Sequence, residues 1–267
     1  MNKFPVVENE IKIGIAIVTY NRLEYLKRTV DCVKSFTASP YELVVAEDGG
    51  TDMTREWCRN NGVPLVTGIN SGVCWNKNRG LYFLNSKRCN PILLLEDDCR
   101  PNEIGWEKSW IEATKLWGHL SYAHPKLKKW QIEGAGIPTD PFVNFKASAQ
   151  CTSVSSDIIE KIGYLDSRFK GYGVGHAEWT SRIKRAGYGF KKVRLPDGRR
   201  ARANLYINGG LIHDDAPTFK DAKNIEINEE LFDALKKEHD WGKKTIFPWV
   251  DEAEHDRFIK EVQGMPD

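Results

Sequence analysis

The chain has 267 residues, enough to bury one large α/β core, or a core with an appendage, and too few for two equal domains. Its 39 Lys and Arg nearly cancel its 37 Asp and Glu, leaving a formal net charge of +2, so no global field calls for nucleic acid or a membrane surface. The six cysteines include no C-x-x-C pair and no histidine at zinc-finger spacing, which argues against a structural zinc site.

The opening MNKFPVVENEIK has no apolar signal-peptide core before Glu8 and Glu10, and no later run reaches membrane-spanning length. A cytoplasmic protein with reduced thiols is therefore expected, with no transmembrane segment and no nucleic-acid partner. Residues 11–18 (IKIGIAIV) read as a buried strand ending in Thr19-Tyr20-Asn21-Arg22. From Leu23 the apolar residues Leu26, Val30, Val33 and Phe36 recur at helical spacing, and Ser39-Pro40 closes that helix. Residues 41–46 (YELVVA) form the next strand, running into Glu47-Asp48-Gly49-Gly50. Thr51 or Asp52 caps a helix to about residue 60, Asn61-Gly62 turns the chain, and 64–67 is a third strand. A loop over 68–72 and a helix to about Leu84 lead to ILLL at 92–95, bounded by Asn90-Pro91 and followed by Glu96-Asp97-Asp98.

The β-α-β-α-β-α-β order implies a parallel sheet with right-handed crossovers. Each strand carries polar residues at its carboxyl end, the edge where open α/β sheets bind ligands. Adjacent carboxylates repel and are costly to desolvate, so three acids behind four large apolar residues call for water or a cation, and a divalent metal is the candidate.

Beyond Pro101 the pattern predicts a helix over about 103–117, an irregular middle containing 134–141 (GAGIPTDP), a strand at 150–155 and a short helix at 157–162. A flexible glycine loop at 171–175 (GYGVG) opens a helix to 185, and strands follow at 190–195 and 205–207. After Ala216-Pro217 come charged helices at about 228–237 and 251–262, with Trp241, Phe247 and Trp249 between them. The expected division is a core of residues 1–217 and a helical extension, 218–267, packed on it. No internal repeat or low-complexity tract interrupts this reading.

Taken in order, these motifs resemble the family 2 glycosyltransferases of the GT-A fold. The matching residues are Val18-Thr19-Tyr20-Asn21-Arg22, Glu47-Asp48-Gly49, Asn70-Ser71-Gly72 leading to Asn78-Arg79-Gly80, Glu96-Asp97-Asp98, and 171–188. The likeness covers roughly residues 11–215. It implies an α/β fold with a Rossmann-like nucleotide-binding half, a mostly parallel central sheet and a C-terminal helical extension. It further implies inverting transfer of a hexosyl or N-acetylhexosaminyl unit from a nucleotide-sugar, UDP-sugar being favoured, to a hydroxyl of a glycan or glycolipid acceptor. Mn2+ or Mg2+ would assist, and surface-polysaccharide synthesis would be the setting, with any membrane association peripheral and through the acceptor.

By position in the family's D-x-D motif, Asp98 would bind the metal, and Glu96 or Asp97 would hold the ribose or a metal-bound water. The first of these acids is Glu where Asp is usual. His213, in GGLIHDD, would complete the metal shell. Asp48 would accept from the base N–H, while Thr19, Tyr20 and Arg22 line the nucleotide pocket; an ordinary strand-to-helix turn with Asn21 as N-cap is the alternative. Lys77 would pair with a phosphate or remain a solvated helix lysine. Inverting transfer needs a general base, and His176 occupies the slot of the family's Asp with Glu178 two residues on. Either is the base and the other orients the acceptor hydroxyl, with His176 preferred.

The basic runs 191–194 (KKVR) and 199–202 (RRAR) would clamp the diphosphate, meet an anionic acceptor, or form a solvated loop. Trp130, Phe142, Trp179, Trp241 and Trp249 would stack an acceptor sugar or pack. A glycoside hydrolase would leave the nucleotide-pocket motifs without purpose, and a nucleotidyltransferase should carry a glycine-rich loop where TYNR has none. A non-catalytic nucleotide-sugar or glycan-binding protein is the remaining alternative.

Overall fold

The structure, a computed structural model, describes residues 12–217, 221–238 and 248–264. At its centre lies β1 (Ile13–Thr19), buried along its whole length. The chain then alternates through α1 (Leu23–Phe36), β2 (Tyr41–Glu47), α2 (Thr54–Asn60), β3 (Leu65–Thr67), α3 (Val73–Ser86) and β4 (Ile92–Glu96). Strands β3, β2, β1 and β4 are neighbours in that order and all parallel. Polar residues 19–22, 47–50 and 96–98 therefore arrive at one edge.

The next elements are β5 (Cys99–Pro101), α4 (Glu107–Trp117), β6 (His119–Tyr122), a 3-10 turn (Pro125–Trp130), β7 (Phe142–Asn144), β8 (Cys151–Val154) and α5 (Ser156–Ile162). They are followed by α6 (Gly175–Arg185), β9 (Phe190–Arg194), β10 (Arg200–Ile207), β11 (Leu211–His213), α7 (Ala222–Leu235) and α8 (Glu252–Gln263). β8, β6, β10 and β7 continue the sheet beyond β4, with β9 paired to β10. Among the described residues of this half, only the β6–β10 pair is parallel. β11 and β5 form a separate antiparallel ribbon in which His213 lies opposite Cys99.

Alternation along β1 divides the core. Ile13, Ile15 and Ile17 join Leu26, Val30 and Val33 of α1 and Trp110 of α4 on one face. Ala16 faces the other side with Leu81, Leu84, Ile158 and Trp179. A Cβ on Gly80 would come within 2.6 Å of the Ala16 Cβ, so glycine is what lets α3 lie against β1. A third cluster of Trp75, Trp249 and Phe258 docks α8 on α3. All six cysteines are free thiols. Among the described residues, no helix is long and apolar enough to cross a membrane.

Several expectations are corrected. Asn21 is not the N-cap of α1: its backbone is left-handed, with φ 51°, and its Oδ1 accepts from the Thr51 amide at 2.7 Å. Asp52 instead accepts from the Leu23 and Thr54 amides at the starts of both α1 and α2. The basic stretch 199–202 is not a flexible loop, because residues 200–202 lie in β10, paired with 192–194 of β9. Lys191 there pairs with Glu133 and Asp140. α4 starts four residues later than the spacing suggested and α7 six residues earlier. Trp241 and Phe247 lie outside the described residues.

Candidate active site

The three acids sit where β4 ends, beside the end of β1. Asp97 is 2% exposed: its Oδ2 accepts from Thr19 Oγ1 at 2.7 Å and its Oδ1 from Arg22 Nη1 at 3.0 Å. Burial pushes its carboxyl up to about 7, with Thr19 and Arg22 pulling against that rise. Asp98 is 5% exposed, and its Oδ2 takes the same Arg22 Nη1, also at 3.0 Å. Burial and the nearby Glu96 raise the Asp98 carboxyl, while His213 and Arg22 oppose them. One guanidinium thus bridges both aspartates, and its other end donates to the Pro217 carbonyl.

The second oxygen of Asp98, Oδ1, is buried without a hydrogen-bond partner. It faces His213 Nε2 at 3.7 Å, too far for a hydrogen bond. The ribbon of β11 and β5 brings this histidine to the acids, and Asp214 holds it there by donating its amide to the Asp98 carbonyl at 2.8 Å and by pairing with Arg100. His124 packs edge-on against His213, ring centres 4.6 Å apart, and its Nδ1 accepts from the Lys126 amide to cap the 3-10 turn. Burial and His213 lower the His124 pKa. An unmatched carboxylate oxygen opposed to an imidazole nitrogen is a donor pair that suits a divalent cation.

Asp48, at the end of β2, does not present an open carboxylate. Its oxygens accept from the Ser71 and Gly72 amides at 3.0 and 2.9 Å and from Arg79 Nη1 at 2.9 Å. It therefore pins the 68–72 loop. Lys77 is not a solvated helix lysine either: it is 1% exposed and donates to Glu96 Oε1 at 3.2 Å and to the Ala149 carbonyl at 3.1 Å. Glu96 acts electrostatically on Asp98, and both acids act on the Tyr172 hydroxyl, whose pKa burial raises first. Tyr20, which follows Thr19 at the end of β1, is half-buried.

The two candidate bases have different surroundings. Glu178 is 1% exposed, and its Oε1 accepts from Arg182 Nε at 2.6 Å. Arg182 in turn donates to the Ile162 and Tyr164 carbonyls, so this pair ties α6 to the end of α5. His176 is 7% exposed, and burial, reinforced by the charge of Lys77, holds its pKa well below the ordinary histidine value. It is a neutral ring, kept so first by burial and further by the lysine that also touches Glu96. The two candidates therefore differ in their partners: Glu178 Oε1 is paired with Arg182, whereas His176 is a buried neutral ring.

Among the aromatic candidates, Trp179 is fully buried and donates Nε1 to the Gly163 carbonyl, and Trp249 is buried on Phe258. Phe142 is half-buried, whereas Trp130 is 42% exposed under Lys129, with Nζ 4.3 Å from the ring centre. Sequence reasoning assigned no role to Arg79, His124, Arg100 or His119. Arg79 alone gave a signal, standing in the NSG…NRG stretch, while the others are single polar residues in segments with no periodicity to interpret them.

Residues 14–113, which carry the strand edge just described, match the family described as Glycosyl transferase family 2. No curated protein matches the chain. Among solved structures, GalNAc-T7 with UDP, GalNAc and Mn2+ superimposes with a TM-score of 0.61 at 13% identity, over 97% of this chain and 52% of that one. The chain thus spans about half the length of that protein. Glucosyl-3-phosphoglycerate synthase from Mycobacterium tuberculosis, in complex with Mn2+, UDP and phosphoglyceric acid, gives 0.50 at 12% identity over 97% of this chain and 80% of that one. At such identities the likeness concerns the fold. The chain has the GT-A fold, and its amino-terminal region, 14–113, is similar to the family 2 glycosyltransferases.

Proposed function

We propose that this protein transfers a sugar from a nucleotide-sugar, with UDP the favoured nucleotide, to a hydroxyl of a glycan or glycolipid, with inversion and with the help of Mn2+ or Mg2+. The observation that carries the reading is the open donor pair, buried Asp98 Oδ1 facing His213 Nε2 at 3.7 Å, on the edge where the strands of a family 2 region end. The Mn2+ and UDP in the two related structures support it.

Asp98 and His213 would hold the cation. Among the described residues no three His, Cys, Asp or Glu side chains gather into a ready-made cage, so donor oxygens and water would complete the shell. When bound, the ion would offset the charge that develops on the diphosphate leaving group. Arg22 now neutralises both aspartates and would be freed to meet the nucleotide. Thr19 keeps Asp97 oriented, and Lys77 places a desolvated positive charge next to Glu96 and within reach of His176. The acceptor hydroxyl would attack the anomeric carbon opposite the departing diphosphate and give its proton to His176. The diphosphate would take the bonding electron pair. Residues 1–217 would form the catalytic core and 218–267 its extension; surface-polysaccharide synthesis in the cytoplasm is the setting the family resemblance favours.

The test is thermal unfolding with UDP, GDP, CDP and dTDP, each with and without Mn2+, on the wild type and Asp98→Ala. One nucleotide should stabilise the wild type only with metal, and Asp98→Ala should abolish the shift. No shift with any nucleotide sinks the transferase reading. Binding without donor consumption, whatever acceptor is supplied, identifies a nucleotide-sugar-binding protein instead.

A further inference from the structure

We propose that the exposed surface carried by residues 125–132 and 145–146 docks on an anionic lipid bilayer, which sets the catalytic edge of the sheet against the lipid. The docking stands on the surface itself; that it serves a lipid-carried acceptor, one of the two kinds allowed above, rests on the reading of the protein as a glycosyltransferase.

The surface adjoins the candidate site at both of its ends. β8 runs antiparallel to both β4 and β6, so β4 and β6 finish at the same edge of the sheet. The 3-10 turn Pro125–Trp130 leaves that edge directly behind His124, whose ring packs on His213. At the other end Lys146 lies over the Trp130 ring. Two and three residues further along, the Ser148 main chain faces His176 and the Ala149 carbonyl accepts from Lys77.

Its composition mixes apolar groups with unmatched positive charge. Trp130, Ile132 and Phe145 are 42%, 48% and 47% exposed. Trp130 and Ile132 are separated by the extended residue Gln131, which puts both on one side of the chain. Lys129 and Lys146 place their ammonium groups 4.3 and 5.5 Å from the centre of the Trp130 ring, and Lys128 is exposed on the same turn. The nearby acids have other partners: Glu133 and Asp140 pair with Lys191, and Asp215 with Lys126. Among the described residues, no acid pairs with Lys128, Lys129 or Lys146.

An anionic bilayer answers both halves of this composition. Aromatic and aliphatic side chains enter the headgroup region while lysines between them meet the lipid phosphates. Tryptophan suits that depth because its ring is apolar and its N–H stays wet. Addition of a strand from another protein is closed off, because the outer side of β7 is already covered: the Ile132 amide donates to the Val143 carbonyl and the Val143 amide to the Glu133 carbonyl. A sugar stacked on Trp130 would use the ring but leave Ile132 and Phe145 in water.

The test is flotation of the full-length protein, without nucleotide, on vesicles of phosphatidylcholine alone and of phosphatidylcholine mixed with phosphatidylglycerol. The wild type should float with the anionic vesicles only, and less as salt is raised. Each lysine near an anionic surface is worth about fivefold in affinity, so Lys128→Glu with Lys129→Glu should weaken binding by about twenty-five-fold or more. Trp130→Ala with Ile132→Ser should weaken it by about tenfold or more. The charge-reversal variant should keep the wild-type melting temperature and its shift with nucleotide and Mn2+, which separates lost docking from lost folding. No flotation with anionic vesicles, equal flotation with neutral ones, or flotation that neither variant reduces overturns the proposal. Retention on immobilised alginate that Trp130→Ala abolishes, together with no flotation, assigns the surface to an anionic glycan and overturns it as well. Flotation that both variants reduce, in a protein that no nucleotide stabilises, upholds the docking surface and sinks only the transferase reading.

Discussion

Two clusters at the sheet edge contain the same parts, one arginine between two carboxylates, and are finished differently. Arg79 donates to Asp48, to Glu261 of α8, to Asn76 and to the Glu47 and Ile69 carbonyls. Asp48 also accepts two loop amides, and Glu261 accepts from Trp75 Nε1 at 2.8 Å. In the other cluster Arg22 bridges Asp97 and Asp98, yet Asp98 keeps one buried oxygen without a partner, and a histidine waits at 3.7 Å. Buried charge that is fully matched belongs to the architecture, whereas buried charge left one partner short has room for a ligand.

The largest effect should come from opening the closed cluster. Arg79→Ala would leave Asp48 and Glu261 buried without their cation, which costs about 3–5 kcal/mol. At roughly 2–4 °C per kcal/mol for a domain of this size, the melting temperature should drop by on the order of 10 °C with or without nucleotide. A drop below about 1 kcal/mol in urea unfolding would show that the cluster is not closed in solution. Because Glu261 belongs to α8, the same substitution reports whether the helical extension is needed for the core to hold together.

His119 is a buried uncharged group with both ring nitrogens matched, Nδ1 by the Ser153 carbonyl and Nε2 by the Thr180 hydroxyl, and its signature is pH dependence. A base whose pKa is lowered on folding contributes stability that is complete above its unfolded value near 6.5 and lost as pH falls toward about 4. Roughly 2.5 pK units at about 1.36 kcal/mol each make about 3 kcal/mol across that window. The difference in unfolding free energy between wild type and His119→Gln should therefore change with pH between 6.5 and 4 and be level above 7. A flat difference would mean that His119 is hydrated.

The contrast between the clusters also shows what could be read from the sequence. Strands β1 to β4 were legible because each is an apolar run bounded by turn residues, and their parallel order put TYNR, EDGG and EDD at one edge. β6 was missed because His119-Leu120-Ser121-Tyr122 carries polar side chains into a buried strand, where His119 and Ser153 supply each other's partners. β5 and β11 are three residues each, too short for any periodicity, yet their pairing is what places His213 by Asp98. The residue types of the site were visible, but their completion was not: Asp48 looks as available as Asp98 until Arg79 is found beside it. An arginine 31 residues away leaves no pattern that distinguishes a partner from a bystander, whereas Glu178 and Arg182, four apart on α6, stand at the spacing of a facing helical pair.

The smallest change in stability should come from the open cluster, and it is the most informative. Asp98→Asn removes a charge that Glu96 repels and that Arg22 only half satisfies, and Arg22 keeps Asp97 as its partner. The gain and the loss oppose each other, so without ligand the unfolding free energy should stay within about 1 kcal/mol of wild type. With nucleotide and Mn2+ at about a hundred times the dissociation constant, the wild type should gain roughly 2.7 kcal/mol and Asp98→Asn close to none. His213→Ala should lose part of that gain, since it takes away one donor and leaves the carboxylate. A large loss of stability in unliganded Asp98→Asn would place this aspartate with Asp48, as part of a closed network, and the distinction between the two clusters would fail at the residue on which it depends.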